Sequence, residues 1–297
     1  MLRRPFLAFT IAGFALCASA GFAQSAPPAM QAQVIAPDAV LGARAPELRA
    51  LLGAMGLYDI LAIMAAEGRE SAPDLESDMF PGQGGAAWMA VVAGIYATHK
   101  MTAAFEAALP VERLSDADIA SLRAFFESDL GARIAAGEIA ARQAFLDPSL
   151  EQIATDLAEE HAAQNHPRIA QLTEFNIVND LVERNVSGAL NANFAFYMGL
   201  SDGGAFAAPI PEEMMLAQVW DQEAAIRAET VQWLLAYQTL AYEDLLDADM
   251  AAYIALSRSA AGQAINASLF AAFDIVFNAI SHDLGRAAAG FIAGEDT

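Results

Sequence analysis

Metal or hydrolytic chemistry needs a few ligating or nucleophilic side chains brought together, and the first candidates in this chain are its four histidines. His161 and His166 stand five apart, a spacing that puts them on different faces of a helix, whereas a zinc helix uses His-Glu-x-x-His. Glu159-Glu160-His161 reads as a solvated face, and His99 and His282 have no companion at a recurring interval. The chain has no EF-hand loop, no Gly-x-x-x-x-Gly-Lys phosphate cradle and no Gly-x-Ser-x-Gly elbow. Cys17 is the single cysteine and Lys100 the single lysine, so thiolate and Schiff-base chemistry have one candidate each. No catalytic residue, metal site or cofactor is expected.

Two groups still carry chemical interest. Glu138 sits among Ile134, Ala135, Ala136, Ile139 and Ala140, where it can pair with Arg142 one helical turn on or serve as a buried general acid. The second group is asparagine: Asn176, Asn179, Asn185, Asn191 and Asn193 crowd two helical segments, although Asn is a poor mid-helix residue because its amide competes for backbone hydrogen bonds. The stretch holding Asn191 and Asn193 is apolar almost all round, so it should be buried and its amides satisfied. They either bond between helices or, as Asn179, Asn191, Asn193 and Tyr197, form a candidate polar pocket in an apolar cavity, with Trp220 or Trp233 as a wall.

Residues 1–23 have the form of an export signal. Arg3 and Arg4 precede an apolar run from Phe6 to Cys17, and small residues allow cleavage after Ala20 or Ala23. The run is shorter than the ~18–20 residues of a span, and no second membrane-spanning segment is expected in the mature chain. Leu16 before Cys17 disfavours lipidation. The protein is therefore expected in the periplasm or secreted, with no disulfide. Fifteen basic against 37 acidic residues give a net charge of −22, a field that repels nucleic acid and anionic lipid. An acidic surface also keeps a chain that is 56% hydrophobic dispersed.

Residues 24–45 are rich in Pro, Ala and Gln and read as a flexible lead-in; from Pro46 the three-to-four-residue apolar spacing predicts helices almost throughout. One segment occurs twice. Leu114–Ile134 returns as Leu245–Ile265 at a constant offset, with Asp116, Asp118, Ser128, Gly131 and Ile134 recurring as Asp247, Asp249, Ser259, Gly262 and Ile265. Each copy reads as two helices meeting at a corner, the Ser as N-cap and the Gly as a place of close backbone approach. Upstream, Leu57–Leu61 resembles Val178–Val182. The predicted architecture is an all-α, internally duplicated bundle of two similar multi-helix units, 46–165 and 166–297, interrupted by a loop at 201–211.

The segment Leu114–Ile134, with its Phe125-Phe126 pair, Ser128 and Gly131, resembles an exported bacterial family, domain of unknown function 2059. Asp129 stands where that family often has Pro, and the second copy lacks both the Pro and the aromatic pair. The resemblance implies an all-α exported fold and transfers no catalytic residue. Three functions remain open at this level: a non-enzymatic envelope module that binds a protein or serves a structural role, a carrier of a small apolar or lipid-like molecule between the two units, and an envelope hydrolase. The last would require carboxylates from both halves to converge in one cleft.

Overall fold

A computed structural model describes residues 40–206 and 208–294; the expected export signal and residues 24–39 of the expected lead-in lie outside these residues. Among the described residues, fourteen α-helices and two short 3-10 turns follow one another, with no strand. The first half holds α1 (Ala45–Ala54), α2 (Leu57–Glu70), α3 (Ala72–Met79), α4 (Gly85–Ile95), α5 (Thr98–Ala108), α6 (Asp116–Phe126), α7 (Asp129–Ala144) and α8 (Pro148–Ala163). The second half holds α9 (Pro167–Asn179), α10 (Leu181–Asp202), α11 (Glu212–Trp220), α12 (Glu223–Ala241), α13 (Asp247–Arg258) and α14 (Ala260–Ile292). The described part of the expected lead-in, 40–45, is packed on the fold: Leu41 is buried, and the Arg44 guanidinium donates to the carbonyls of Leu114 and Val111.

The two corners foreseen in the sequence have matching local geometry. Ser128 caps α7 by accepting from the Gly131 amide at 3.2 Å, and Ser259 caps α14 by accepting from Gly262 at 3.0 Å. A Cβ on Gly131 would lie 2.2 Å from the Phe125 carbonyl oxygen, and one on Gly262 would lie 2.1 Å from that of Leu256. Only Gly lets the incoming helix press so close. The starts of α6 and α13 differ. Ser115 and Asp118 complete a reciprocal capping box, whereas Leu246 has no side-chain acceptor, so only the Asp249-to-backbone half survives.

Packing joins the halves. In the first, α1 lies on α6 and α2 on α7; in the second, α9 lies on α13 and α10 on α14. The helix before each corner then crosses over: α5 packs on α2 and on the other half's α14, while α12 packs on α10 and on the other half's α7. Buried Glu106 fastens α5 to Arg49 and Tyr58, and buried Gln238 fastens α12 to Asn176. The main core accordingly mixes residues of both halves, from Leu48 and Phe105 to Phe196 and Phe291. By length and composition α14 could cross a membrane. In this fold it is also the helix on which α4, α5, α6, α10 and α13 all pack.

Helices α10 and α14 run side by side in the same direction at backbone contact. Added Cβ atoms on Gly199 and Gly285 would lie 2.0 and 2.1 Å from the carbonyl oxygens of His282 and Phe196, and one on Gly203 would meet Arg286 and Ala289. Small residues one turn apart allow this approach.

Candidate functional site

Glu138, on α7, is a half-buried carboxyl surrounded by tyrosines. Its Oε1 accepts from the hydroxyls of Tyr242 at 2.7 Å and Tyr253 at 3.1 Å, and its backbone carbonyl accepts from Tyr237 at 3.0 Å. Burial raises its pKa above the usual carboxylate range, and the two phenol donors offset that in part. Burial together with the neighbouring Glu138 charge raises all three tyrosines. The pairing expected with Arg142 does not form. Arg142 instead turns to the buried Glu67 on α2 and lies over the Trp233 ring, 5.2 Å from its centroid. Burial decides the exchange: Glu67 has no phenol donors to compensate its charge, and a guanidinium fork fits it bidentately.

This cluster ties α2 and α7 of the first half to α12 and α13 of the second. Its two carboxyls, Glu67 and Glu138, both come from the first half, and Glu67 is engaged by Arg142. The shallow groove nearby, about 300 Å³, is lined by Asp59, Ile63, Ile139 and Gln143 among others, and not by Glu138 or the tyrosines.

The four residues of the expected polar pocket separate into three places. Asn193 and Tyr197 stand together on α10, both buried, beside Gln222: the Asn193 amide donates to Gln222 at 3.1 Å, and interaction with Gln222 offsets part of the rise that burial gives the Tyr197 hydroxyl. Asn191 is exposed on another face and donates to Asp274 at 3.2 Å. Asn179 is buried at the end of α9, where its side chain donates to Phe175 and its backbone carbonyl accepts from Asn266. Neither tryptophan walls the pair, since Trp220 is exposed and Trp233 packs on Phe145 and Tyr237.

His161 and His166, expected on different faces, stack with centroids 4.5 Å apart. The helix ends between them: Asn165 adopts a left-handed conformation, and the His166 amide closes back onto the His161 carbonyl at 2.9 Å. The His166 Nδ1 then accepts from the Arg168 amide at the start of α9. Among the described residues, no group of three or more His, Cys, Asp or Glu side chains is placed to hold a metal ion.

Two surface features were not legible as sites. On α11, Met214, Leu216 and Trp220 are all exposed, Trp220 at 65%. Beside α10 and α14 runs an open groove of about 450 Å³ lined by Asn191, Phe194, Ala195, Met198, Asn278 and His282. The spacing of Asn278 four residues from both Asp274 and His282 was a signal available in the sequence, though only the packing of α10 shows that this stripe faces a groove.

Residues 111–160 match a family model described as an uncharacterized protein conserved in bacteria, domain of unknown function 2059, the family that the first corner resembles. The matched span covers α6, α7 and most of α8. No curated protein and no solved structure matches the chain.

Proposed function

We propose that this chain is an exported, non-enzymatic module of the bacterial envelope that binds another protein, built from two copies of one helical unit. The binding reading is carried by α11, a nine-residue helix that leaves Met214, Leu216 and Trp220 in solvent. Aromatic and methionine side chains are the residues that interfaces concentrate at their centres, and isolated folds rarely gather them on one short exposed helix. Placement in the envelope rests on the leader-like residues 1–23 and on the bacterial family matched at 111–160.

Support for two copies reaches beyond the corners. Arg44 bonds the Leu114 carbonyl and lies 3.8 Å from Asp116, while Arg168 bonds the Leu245 carbonyl and lies 3.3 Å from Asp247. Leu114 and Asp116 are the repeat partners of Leu245 and Asp247. Gly56 and Asp180 follow their arginines at the same interval, and each takes a left-handed conformation at the start of the next helix.

A photo-crosslinking residue placed at 216 or 220, in the organism that makes the protein, tests the reading. A discrete adduct of one added mass is expected from both positions and not from 156 on the exposed face of α8. Equal, diffuse labelling from all three positions, or none, would remove α11 as a binding surface. Trp220→Ala should abolish the adduct at 216 while changing stability by less than about 0.5 kcal/mol, because the side chain is exposed.

A further inference from the structure

Helix α4 presents a surface that the protein-binding reading of α11 does not use. Its inner side is fixed: Trp88 and Val92 are buried, and Trp88 donates to the Ala72 carbonyl at 2.8 Å and packs on the rings of Phe80 and Phe291. Ala86, Met89, Ala90 and Ala93 face outward and are exposed. No charged side chain stands between Asp78 and His99. Other outer helices differ: α3 shows Asp74 and Asp78 to solvent, and α8 shows Asp156, Glu159 and Glu160. A helix with one face on the core ordinarily keeps polar residues on the other. An outer face without them is matched to a covering surface rather than to water.

The two ends of α4 carry opposite charges, each tied to the helix by hydrogen bonds. At its start the Glu76 carboxylate accepts from the Gly84 and Gly85 amides at 3.1 and 3.0 Å. At its finish the Lys100 ammonium donates to the Gly94 carbonyl at 2.9 Å. Both bonds to Glu76 go to Oε1, and an ammonium has three donors, so each group can take a second partner.

We propose that α4 is the contact between two copies of this chain, packed antiparallel across a twofold axis near Met89 and Ala90. Antiparallel packing sets the Glu76 end of each helix beside the Lys100 end of the other. The face is then complementary to itself in charge, as a twofold interface requires. Gly85 and Gly94 are about 14 Å apart at the helical rise of about 1.5 Å per residue, and the middle of that span is Met89 and Ala90. The alanines let the two backbones approach, and the methionines fill the space between them. Helix α11 lacks this property. Glu212 and Glu213 at its start and Asp221 beyond its end are all exposed, so pairing two copies in either direction would set acid against acid. One helix face is a small contact, which makes the dimer weak and reversible, and it leaves α11 open to a different partner.

Sedimentation equilibrium of the purified protein at physiological salt, where repulsion between two acidic copies is screened, tests the proposal. A monomer–dimer equilibrium is expected at micromolar to millimolar concentration. Ala90→Glu sets two carboxylates together at the axis and should weaken the dimer at least about tenfold, as should Lys100→Glu, while Trp220→Ala should leave it unchanged. Ala90 and Lys100 are exposed, so both variants should keep the parent's helix content by circular dichroism. Cysteine pairing reads the direction. In a Cys17→Ser background, a mixture of Ala86→Cys and Ala93→Cys chains should form a disulfide-linked dimer under mild oxidation. Neither chain alone should, because like positions then lie about 10 Å apart, beyond the reach of a disulfide. A monomer at every concentration overturns the proposal. So does a dimer that Ala90→Glu leaves intact, and its loss in Trp220→Ala would then move the contact to α11. Linkage within Ala86→Cys alone would make the pairing parallel and equally overturn it. A chain that stays monomeric but floats with phosphatidylcholine vesicles, and no longer does so as Ala90→Glu, would assign the face to a lipid surface instead.

Discussion

At the scale of single residues, Glu138 is where environment departs furthest from what its neighbours in the chain imply. Its apolar flanks announce burial, but the groups that answer it, Tyr237, Tyr242 and Tyr253, arrive from about a hundred residues away and leave no local mark in the sequence. The raised pKa has a definite consequence for stability. Below the ordinary glutamate pKa of about 4.3 both folded and unfolded chains hold the proton, and Glu138 contributes no pH dependence. As pH rises past that value the unfolded chain releases its proton first, which favours unfolding until the folded group ionises as well. Native stability therefore falls with rising pH through this window. Glu138→Gln keeps an oxygen for both phenols and buries no charge. It should flatten that part of the profile and stabilise the protein at neutral pH by about 1 kcal/mol, measured by urea unfolding at pH 4, 5.5 and 7. A substitution whose cost in stability grows from pH 4 to pH 7 would show that the ionised form is the one the cluster favours. Tyr242→Phe, which removes the shorter phenol bond, should cost about 1–2 kcal/mol.

At the scale of elements, helix ends were the most readable features, because caps are local. Ser115, Ser128, Asp147 and Ser259 each accept the backbone amide that their position calls for. The same locality makes the defective end of α13 correctable. Leu246→Ser supplies the missing acceptor and removes an exposed leucine, and it should stabilise the protein by about 1 kcal/mol. Contacts between elements were less readable. Gly199-x-x-x-Gly203 and Ser281-x-x-x-Gly285-x-x-x-Ala289 are visible as spaced small residues, yet nothing in either segment says which helix it faces. The structure makes the distinction testable. Gly199→Ala or Gly285→Ala would push a Cβ to within about 2 Å of a backbone oxygen and force the helices apart. Each should cost about 3 kcal/mol, in the upper part of the range for overpacking. Gly188→Ala in the same α10 has only the Asp274 carboxylate at 3.9 Å and should gain up to about 1 kcal/mol from helix propensity. Thermal unfolding of the three chains separates the outcomes, and a Gly285→Ala chain as stable as Gly188→Ala would contradict the close crossing.

At the scale of the whole molecule, the repeated segment spoke for two units, and apolar spacing was enough to place most of the helices. It could not say how the two halves of the chain share a core, because an amphipathic helix records that it has a buried face and not whose face covers it. Here α5 covers α14 and α12 covers α7, so each half completes the other, and the Glu138 and Glu67–Arg142 contacts cross the same junction. Shared burial of this kind predicts one cooperative transition rather than two. Two of the three tryptophans can report it: Trp88 is buried in the first half, and Trp233 packs on Phe145 at the junction. In chains carrying Trp220→Phe and only one of these reporters, the fluorescence transition should overlay the helix transition followed by circular dichroism. Should Trp88 and Trp233 instead report midpoints several degrees away from the loss of helix in their own chains, the halves would be separate folding units docked on one another. The crossing of α5 and α12 would then be a late contact rather than the basis of stability.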